Sequence, residues 1–260
     1  MERIPELSTT VAGSGPGILL AHGASGSVAD NYGTLLPVLA ADHTVVGPDY
    51  PGSGATPRAA AGFTLDELTD AVVSSAVEAG VETFTVIGFS LGTTVAVRAA
   101  ARYPQRVRGL VLAAGFARAD NQIDLSLGLW EHLLERGDAE GFARMRAVNG
   151  FSLGFLNGLP AEQLAELLAP DPAGPPLGVM EQAALGRSAD TRDDLAGITV
   201  PTLVIATTRD ALVDPANSRY LADRIPGARY AEVDSGHVVM AERPAEWQEL
   251  VGKFLAEHGL

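Results

Sequence analysis

The stretch Thr83-Phe-Thr-Val-Ile-Gly88-Phe89-Ser90-Leu91-Gly92-Thr-Thr-Val-Ala-Val-Arg-Ala-Ala-Ala-Arg-Tyr103 runs from an apolar segment of strand length straight into an alanine-rich helical pattern that stops before Pro104. At the junction stands Gly88-x-Ser90-x-Gly92. A serine in a sharp strand-to-helix turn needs small neighbours, because side chains at the two glycines would clash with the backbone that presents the hydroxyl. The helix N-terminus behind Ser90 favours developing negative charge. Out of context the pattern is only a glycine-rich turn. With a strand before it and a helix behind, it reads as a turn built to expose a nucleophile.

Outward from this junction, apolar runs of strand length recur at Gly17 to Ala21, Thr44 to Val46, Val107 to Ala113, Thr202 to Ala206 and Ala228 to Val233. They alternate with longer helical patterns, which argues for a parallel sheet with crossover helices. Thr64-x-x-Glu67 forms a capping box before Leu65, Leu68, Val72, Ala76 and Ala79, so Thr64 is the expected N-cap. Pro244 to His258 reads as an amphipathic closing helix. From about Phe116 to Leu195 the strand signal disappears, and short helical patterns are broken by Gly137, Gly150, Gly158, Pro160 and the turn Pro170-Asp-Pro-Ala-Gly-Pro-Pro176. The expectation is an α/β core from residues 1–115 and 196–260, a mostly parallel doubly wound sheet, with residues 116–195 inserted as a helical cap that sits on the sheet as a lid.

A chain of 260 residues is one large domain or a domain plus an insertion. Its 47% hydrophobic and 19% charged residues match a globular protein with a sizeable core. Eighteen basic against 32 acidic residues give a net charge of -14, with Lys253 the lone lysine and no basic run. Nucleic acid and acidic membrane surfaces are therefore poor partners. The insertion carries 13 acidic residues against six arginines, about half of that excess. The absence of cysteine excludes a disulfide framework, a thiolate nucleophile and a Cys-ligated metal site. The first residues lack a basic region followed by an apolar one, and no apolar run approaches the roughly 20 residues that span a bilayer. A soluble, cytoplasmic protein without membrane insertion is expected.

A serine hydroxyl is a weak nucleophile at neutral pH and needs a histidine base oriented by a carboxylate, here in the order Ser, Asp, His. Of the five histidines, His237 lies in Asp234-Ser-Gly-His237-Val238, after the last strand-like run and before the final helix. That loop opens at the sheet edge where Ser90 emerges, which makes His237 the expected base. His43 begins a strand, His132 lies on a helix of the insertion and His258 is near the C-terminus, so all three read as structural or solvated. His22 follows a strand in a tight turn, where a buried histidine bonding nearby backbone is the commoner arrangement. Asp210 ends the run PTLVIATTRD, where a carboxylate can reach the imidazole of His237. Asp214, beside Pro215, reads as a solvated or helix-capping residue.

Together these residues resemble the α/β-hydrolase superfamily, in the branch of small lidded esterases, enol-lactonases, C–C bond hydrolases and cofactor-free haloperoxidases. The resemblance covers essentially the whole chain, and includes the His22-Gly23 loop and the Asp49-Tyr-Pro-Gly52-Ser-Gly54-Ala-Thr56-Pro57 turn, which is similar to an architectural turn of that family. It implies catalytic roles for Ser90, Asp210 and His237, an oxyanion hole from the backbone N–H groups of Ala24 and Leu91, and no metal or organic cofactor. Relatives that displace halide or open epoxides carry Asp at the nucleophile position, so Ser90 argues against both chemistries.

The inserted segment is rich in large apolar residues, of which Trp130, Phe151 and Phe155, with Val238 from the core, are expected to line the substrate pocket. A small hydrophobic substrate follows, cleaved as an ester, lactone or thioester through an acyl-enzyme. Arg118, Arg144, Arg146 and Arg187 could clamp a carboxylate, although each also fits a solvated surface charge. Two other readings remain. One keeps the fold for C–C hydrolysis, perhydrolase or cyclase chemistry, with Val238 standing where many such C–C hydrolases carry an aromatic residue. The other is a ligand-binding relative without turnover.

Overall fold

The computed structural model describes residues 4–170 and 174–260. Seven strands form one sheet: β1 (Thr9–Ala12), β2 (Gly17–Ala21), β3 (Thr44–Pro48), β4 (Phe84–Phe89), β5 (Val107–Ala113), β6 (Thr202–Thr207) and β7 (Arg229–Val233). Their spatial order is β1-β3-β2-β4-β5-β6-β7. Every pair is parallel except β1 with β3. This is the α/β-hydrolase fold. β4 is buried at all six positions, as expected of a parallel strand covered on both faces.

Short helices α1 (Val28–Tyr32) and α2 (Leu36–Leu39) lead from β2 towards β3, α3 (Leu65–Glu78) from β3 to β4, and α4 (Leu91–Arg102) from β4 to β5. The capping box at Thr64 is complete: its hydroxyl accepts from the Glu67 amide, and the Glu67 carboxylate accepts from the Thr64 amide at 2.8 Å. Between β5 and β6 the described residues hold no sheet strand but five α-helices, α5 (Asn121–Glu135), α6 (Ala139–Gly150), α7 (Leu153–Gly158), α8 (Ala161–Leu168) and α9 (Val179–Ser188), followed by a short 3-10 turn at Leu195–Gly197. Residues 171–173 of the proline-rich turn lie outside the described residues. The chain closes with α10 (Pro215–Arg224), α11 (Val239–Glu242) and α12 (Pro244–His258). No described helix is long and apolar enough to cross a membrane.

β1 lies outside the six apolar runs of the sequence, for a physical reason. It is an edge strand with no buried position, so TTVA carries no buried face to betray it. The sheet separates two cores. On one face Leu19, Val86, Leu112 and Val204 pack against α3 and α4, while on the other Ile18, Ile87, Val111 and Ile205 pack against Trp247, Val251 and Phe254 of α12. A third cluster joins Ile123, Leu127 and Trp130 of α5 to Phe142 of α6, Ala183 of α9 and Leu212-Val213 beyond β6. The chain leaves β2 for one side of the sheet and returns at β4 to build the other, so the carboxyl ends of β2 and β4 flank the crevice where ligands bind in open parallel sheets.

Candidate active site

Ser90 lies between β4 and α4 with φ of 54° and ψ of -122°, a left-handed backbone that costs a non-glycine residue about 1–3 kcal/mol. Both neighbouring glycines are required. A Cβ on Gly88 would come within 2.5 Å of the Gly92 carbonyl oxygen, and one on Gly92 would overlap the Ala21 carbonyl at the end of β2. The turn is therefore wedged between its own helix and the adjacent strand. The Ser90 amide donates to the Ala113 carbonyl of β5 at 3.0 Å, which ties the strained turn to the strand on its other side.

The serine Oγ lies 2.9 Å from His237 Nε2, and His237 Nδ1 lies 2.7 Å from Asp210 Oδ2. If Nδ1 carries the proton and donates it to the carboxylate, Nε2 is left to accept from the hydroxyl. The Asp210 side chain is fully enclosed, and each oxygen has further donors. Oδ1 accepts from the amides of Leu212 and Val213 at 2.9 and 2.8 Å, and Oδ2 from the Thr207 hydroxyl at 2.8 Å. The carboxylate thus has one available orientation. Asp214 does something else: its side chain caps α10 by accepting from the Ala216 amide.

Other histidines are committed elsewhere. His43 places its ring nitrogens on the Leu39 and Leu260 carbonyls, and His258 packs on Phe254. His22 is fully buried; its Nδ1 donates to the Gly23 carbonyl at 2.8 Å, its Nε2 accepts from the Tyr50 amide at 2.9 Å, and its ring stacks on Tyr50. Burial lowers its pKa from 6.5 to about 4, so the imidazole is neutral and braces the loop after β2 against the 49–56 turn. That turn is internally bonded as well. The Thr56 hydroxyl donates to the Asp49 carbonyl, and the Asp49 carboxylate accepts from the Val28 amide.

Ser90 and His237 open into a cavity of about 680 Å³, well inside the range of small-molecule sites. Ala24, Leu91, Trp130, Phe151 and Val238 all line it. Phe155 does not: it stacks on Phe151 with ring centroids 4.9 Å apart, one helical turn into α7 and behind the residue that faces the cavity. Trp130 is held by its indole N–H on Asn149 Oδ1 and by edge contact with Phe142. Leu91 is the first residue of α4, where an amide has no intrahelical acceptor. Of the four arginines, Arg144 pairs with Glu140, Arg187 with Asp124 and Glu131, and Arg118 faces Asp190 across a bridge. Arg146 alone of them reaches the cavity, over the Phe142 ring, with desolvation lowering its pKa and Asp30 opposing that effect.

Three polar residues that the sequence gave no reason to select complete the surroundings. Gln182 of α9 is buried and bonds the Ser25 amide. Asn31 of α1 accepts from the Gly23 amide at 2.8 Å. Glu242 accepts from both the amide and the hydroxyl of Ser152, at the start of α7. The partners of Gln182 and Glu242 lie 157 and 90 residues away in sequence, and that of Asn31 lies across the loop that follows β2. A polar side chain on the buried stripe of α9 was the one available hint.

The chain belongs to the α/β-hydrolase family, whose sequence model matches residues 16–244. It is 33% identical over 252 residues to the pyrrolizixenacetamide deacetylase of Xenorhabdus hominickii, covering 96% of this chain and 94% of that one. It is 32% identical over 218 residues to a pimeloyl-[acyl-carrier protein] methyl ester esterase of Neisseria meningitidis serogroup C, covering 82% of each. The crystal structure of the enol-lactonase from Burkholderia xenovorans LB400 superposes with a TM-score of 0.86 over 97% of this chain and 99% of that one, at 23% identity. Such a chain is an enzyme of the hydrolase class.

Proposed function

We propose that this protein hydrolyses a carboxylic ester, lactone or thioester of a small hydrophobic molecule through an acyl-enzyme on Ser90. The observation that carries the reading is the unbroken hydrogen-bonded line from Ser90 Oγ through the His237 ring to Asp210. Ser90 attacks the carbonyl as His237 Nε2 takes its proton, and Asp210 holds the imidazole in the tautomer that can accept it. The tetrahedral oxyanion lies against the amides of Ala24 and Leu91. His237 then gives the proton to the leaving group, and a water activated by the same nitrogen releases the acid and restores Ser90.

The cavity supports a hydrophobic acyl or leaving group, since Trp130, Phe151, Leu127 and Val238 supply much of its wall. The helices between β5 and β6 act as the lid that excludes water from it. The similarity to a deacetylase extends the acyl series worth assaying to N-acetyl amides.

The test compares initial hydrolysis rates of wild type and Ser90→Ala on aryl esters, lactones, acyl thioesters and an aryl acetamide. Turnover of at least one class, reduced about 10⁴-fold or more by the substitution, is expected. Turnover that survives Ser90→Ala would overturn the acyl-enzyme. A vinylogous diketone belongs in the panel: its cleavage with esters left intact would favour C–C hydrolysis on the same residues.

A further inference from the structure

Resting on that reading of Ser90, we infer that Gln182, on a helix of the inserted segment, is the positioning residue that sets the oxyanion loop. The side chain is fully buried, and its amide group is used on both sides. Oε1 accepts from the Ser25 amide at 2.9 Å, while Nε2 donates to the Ser53 hydroxyl at 2.9 Å and to the Pro51 carbonyl at 3.2 Å. Those partners come from two different core loops, one after β2 and one after β3. A donor pair on one side and an acceptor on the other fix which way the amide faces, so the oxygen is aimed at Ser25.

The position of Ser25 gives this bond its consequence. Ser25 has φ of 60°, a left-handed conformation that a serine holds only when its surroundings over-determine it. It directly follows Ala24. On the other side of Ala24, the Gly23 amide is held by Asn31 Oδ1. Two successive anchors, one from α1 and one from α9, thus pin the peptide groups on either side of the Ala24 amide. Removing the α9 anchor frees the Ala24–Ser25 peptide to relax out of its strained state, and the Gly23–Ala24 peptide, held at its carbonyl end by His22 Nδ1, then tilts the Ala24 N–H off the line to the oxyanion. α9 itself is seated closely: the Gly178 amide donates to the Gly52 carbonyl at 3.1 Å, and a Cβ on Gly178 would overlap the Pro51 carbonyl. The seating of the inserted helices and the geometry of the oxyanion loop are thereby one arrangement.

The test uses Gln182→Met, which keeps the side-chain length and loses all three hydrogen bonds, and Ser53→Ala, a milder change that removes one of the acceptors aiming the amide. Each is assayed on an aryl butyrate, with binding of an alkyl trifluoromethyl ketone, whose hemiketal oxyanion occupies the hole, and of butyrate as a ground-state ligand. Gln182→Met is expected to lower kcat about 10- to 100-fold with KM within about threefold, short of or at the lower edge of deleting an oxyanion donor outright. Ketone affinity falls in the same proportion and butyrate affinity does not. Ser53→Ala shows the same selective loss at about threefold, and carries the test if the Met variant does not fold. Unchanged kcat in either folded variant, or equal loss of ketone and butyrate binding, overturns the inference. Stoichiometric labelling of Ser90 by a fluorophosphonate in the wild type and both variants tests the nucleophile separately, and its failure would sink the acyl-enzyme reading instead.

Discussion

His22 shows how much one buried side chain contributes without touching substrate. Its folded pKa of about 4 lies below the unfolded value of 6.5, so the unfolded chain binds the extra proton between these limits. The stabilisation is fully present above about pH 6.5 and is lost as pH falls towards 4. Between pH 7 and pH 5 the loss should be about 2 kcal/mol, read as a fall in the urea midpoint. His22→Gln should flatten that slope while lowering stability at pH 7. Asp210 allows a second expectation at this scale. Asp210→Asn keeps the side-chain volume but can present an amide N–H towards His237 Nδ1, favouring the tautomer that cannot accept from Ser90. A fall in kcat of about 10³- to 10⁴-fold with a normal cooperative melt is expected, and a loss under tenfold would show that the carboxylate does not set the tautomer. Ser90, His237 and Asp210 were legible in the sequence because each chemistry-bearing type stands at a strand end. Phe155, expected at the pocket wall, stacks on Phe151 outside the cavity lining, because aromatic spacing in short helices does not tell which ring faces a cavity.

Among the elements, those with a local signature were found and those without one were missed. The Thr64 capping box is written in four consecutive residues and starts α3 where expected. Thr64→Ala should cost about 1 kcal/mol in a denaturant titration, with m unchanged. Strand β1 was missed because its pairing partner is β3, more than 30 residues away, and no buried alternation marks it. The contacts of α9 and α11 were equally hidden. Gln182 stands on the apolar stripe of α9 and Glu242 ends a four-residue helix, but nothing local names their partners, and only the fold brings Ser25 and Ser152 to them. Glu242→Gln should keep one acceptor for Ser152 but lose the charge that holds both of its donors. The expected result is faster proteolysis near the α6–α7 junction than in wild type, with the global melting temperature lowered by only a few degrees. Proteolysis unchanged from wild type would show that the carboxylate does not secure this junction.

For the whole molecule, the sequence order of strands carried the topology, since alternating strand and helix patterns leave few right-handed parallel arrangements. Its charge distribution has a separate effect. The net charge of -14 keeps molecules apart at neutral pH and vanishes near pH 4.7. That is also the range in which protonation of His22 in the unfolded chain erodes stability. Light scattering on slow acidification should therefore peak near pH 4.7 and be weaker for His22→Gln relative to its own midpoint stability. A peak insensitive to His22 would assign aggregation to surface charge alone.

The junction between α6 and α7 meets the histidine loop over a very short span. The Val238 amide donates to the Gly150 carbonyl, Glu242 holds Ser152, and a Cβ on Gly236 would overlap the Ser152 amide. For anyone recombining parts among relatives, this means that the helices between β5 and β6 are not an interchangeable cassette. A foreign segment spliced in at residues 116 and 195 would have to bring its own counterparts to Gly150, Ser152 and Gln182. Otherwise the recipient must be redesigned at Ser25, Gly236 and Glu242, and chimaeras that respect only the splice points should fold yet turn over slowly.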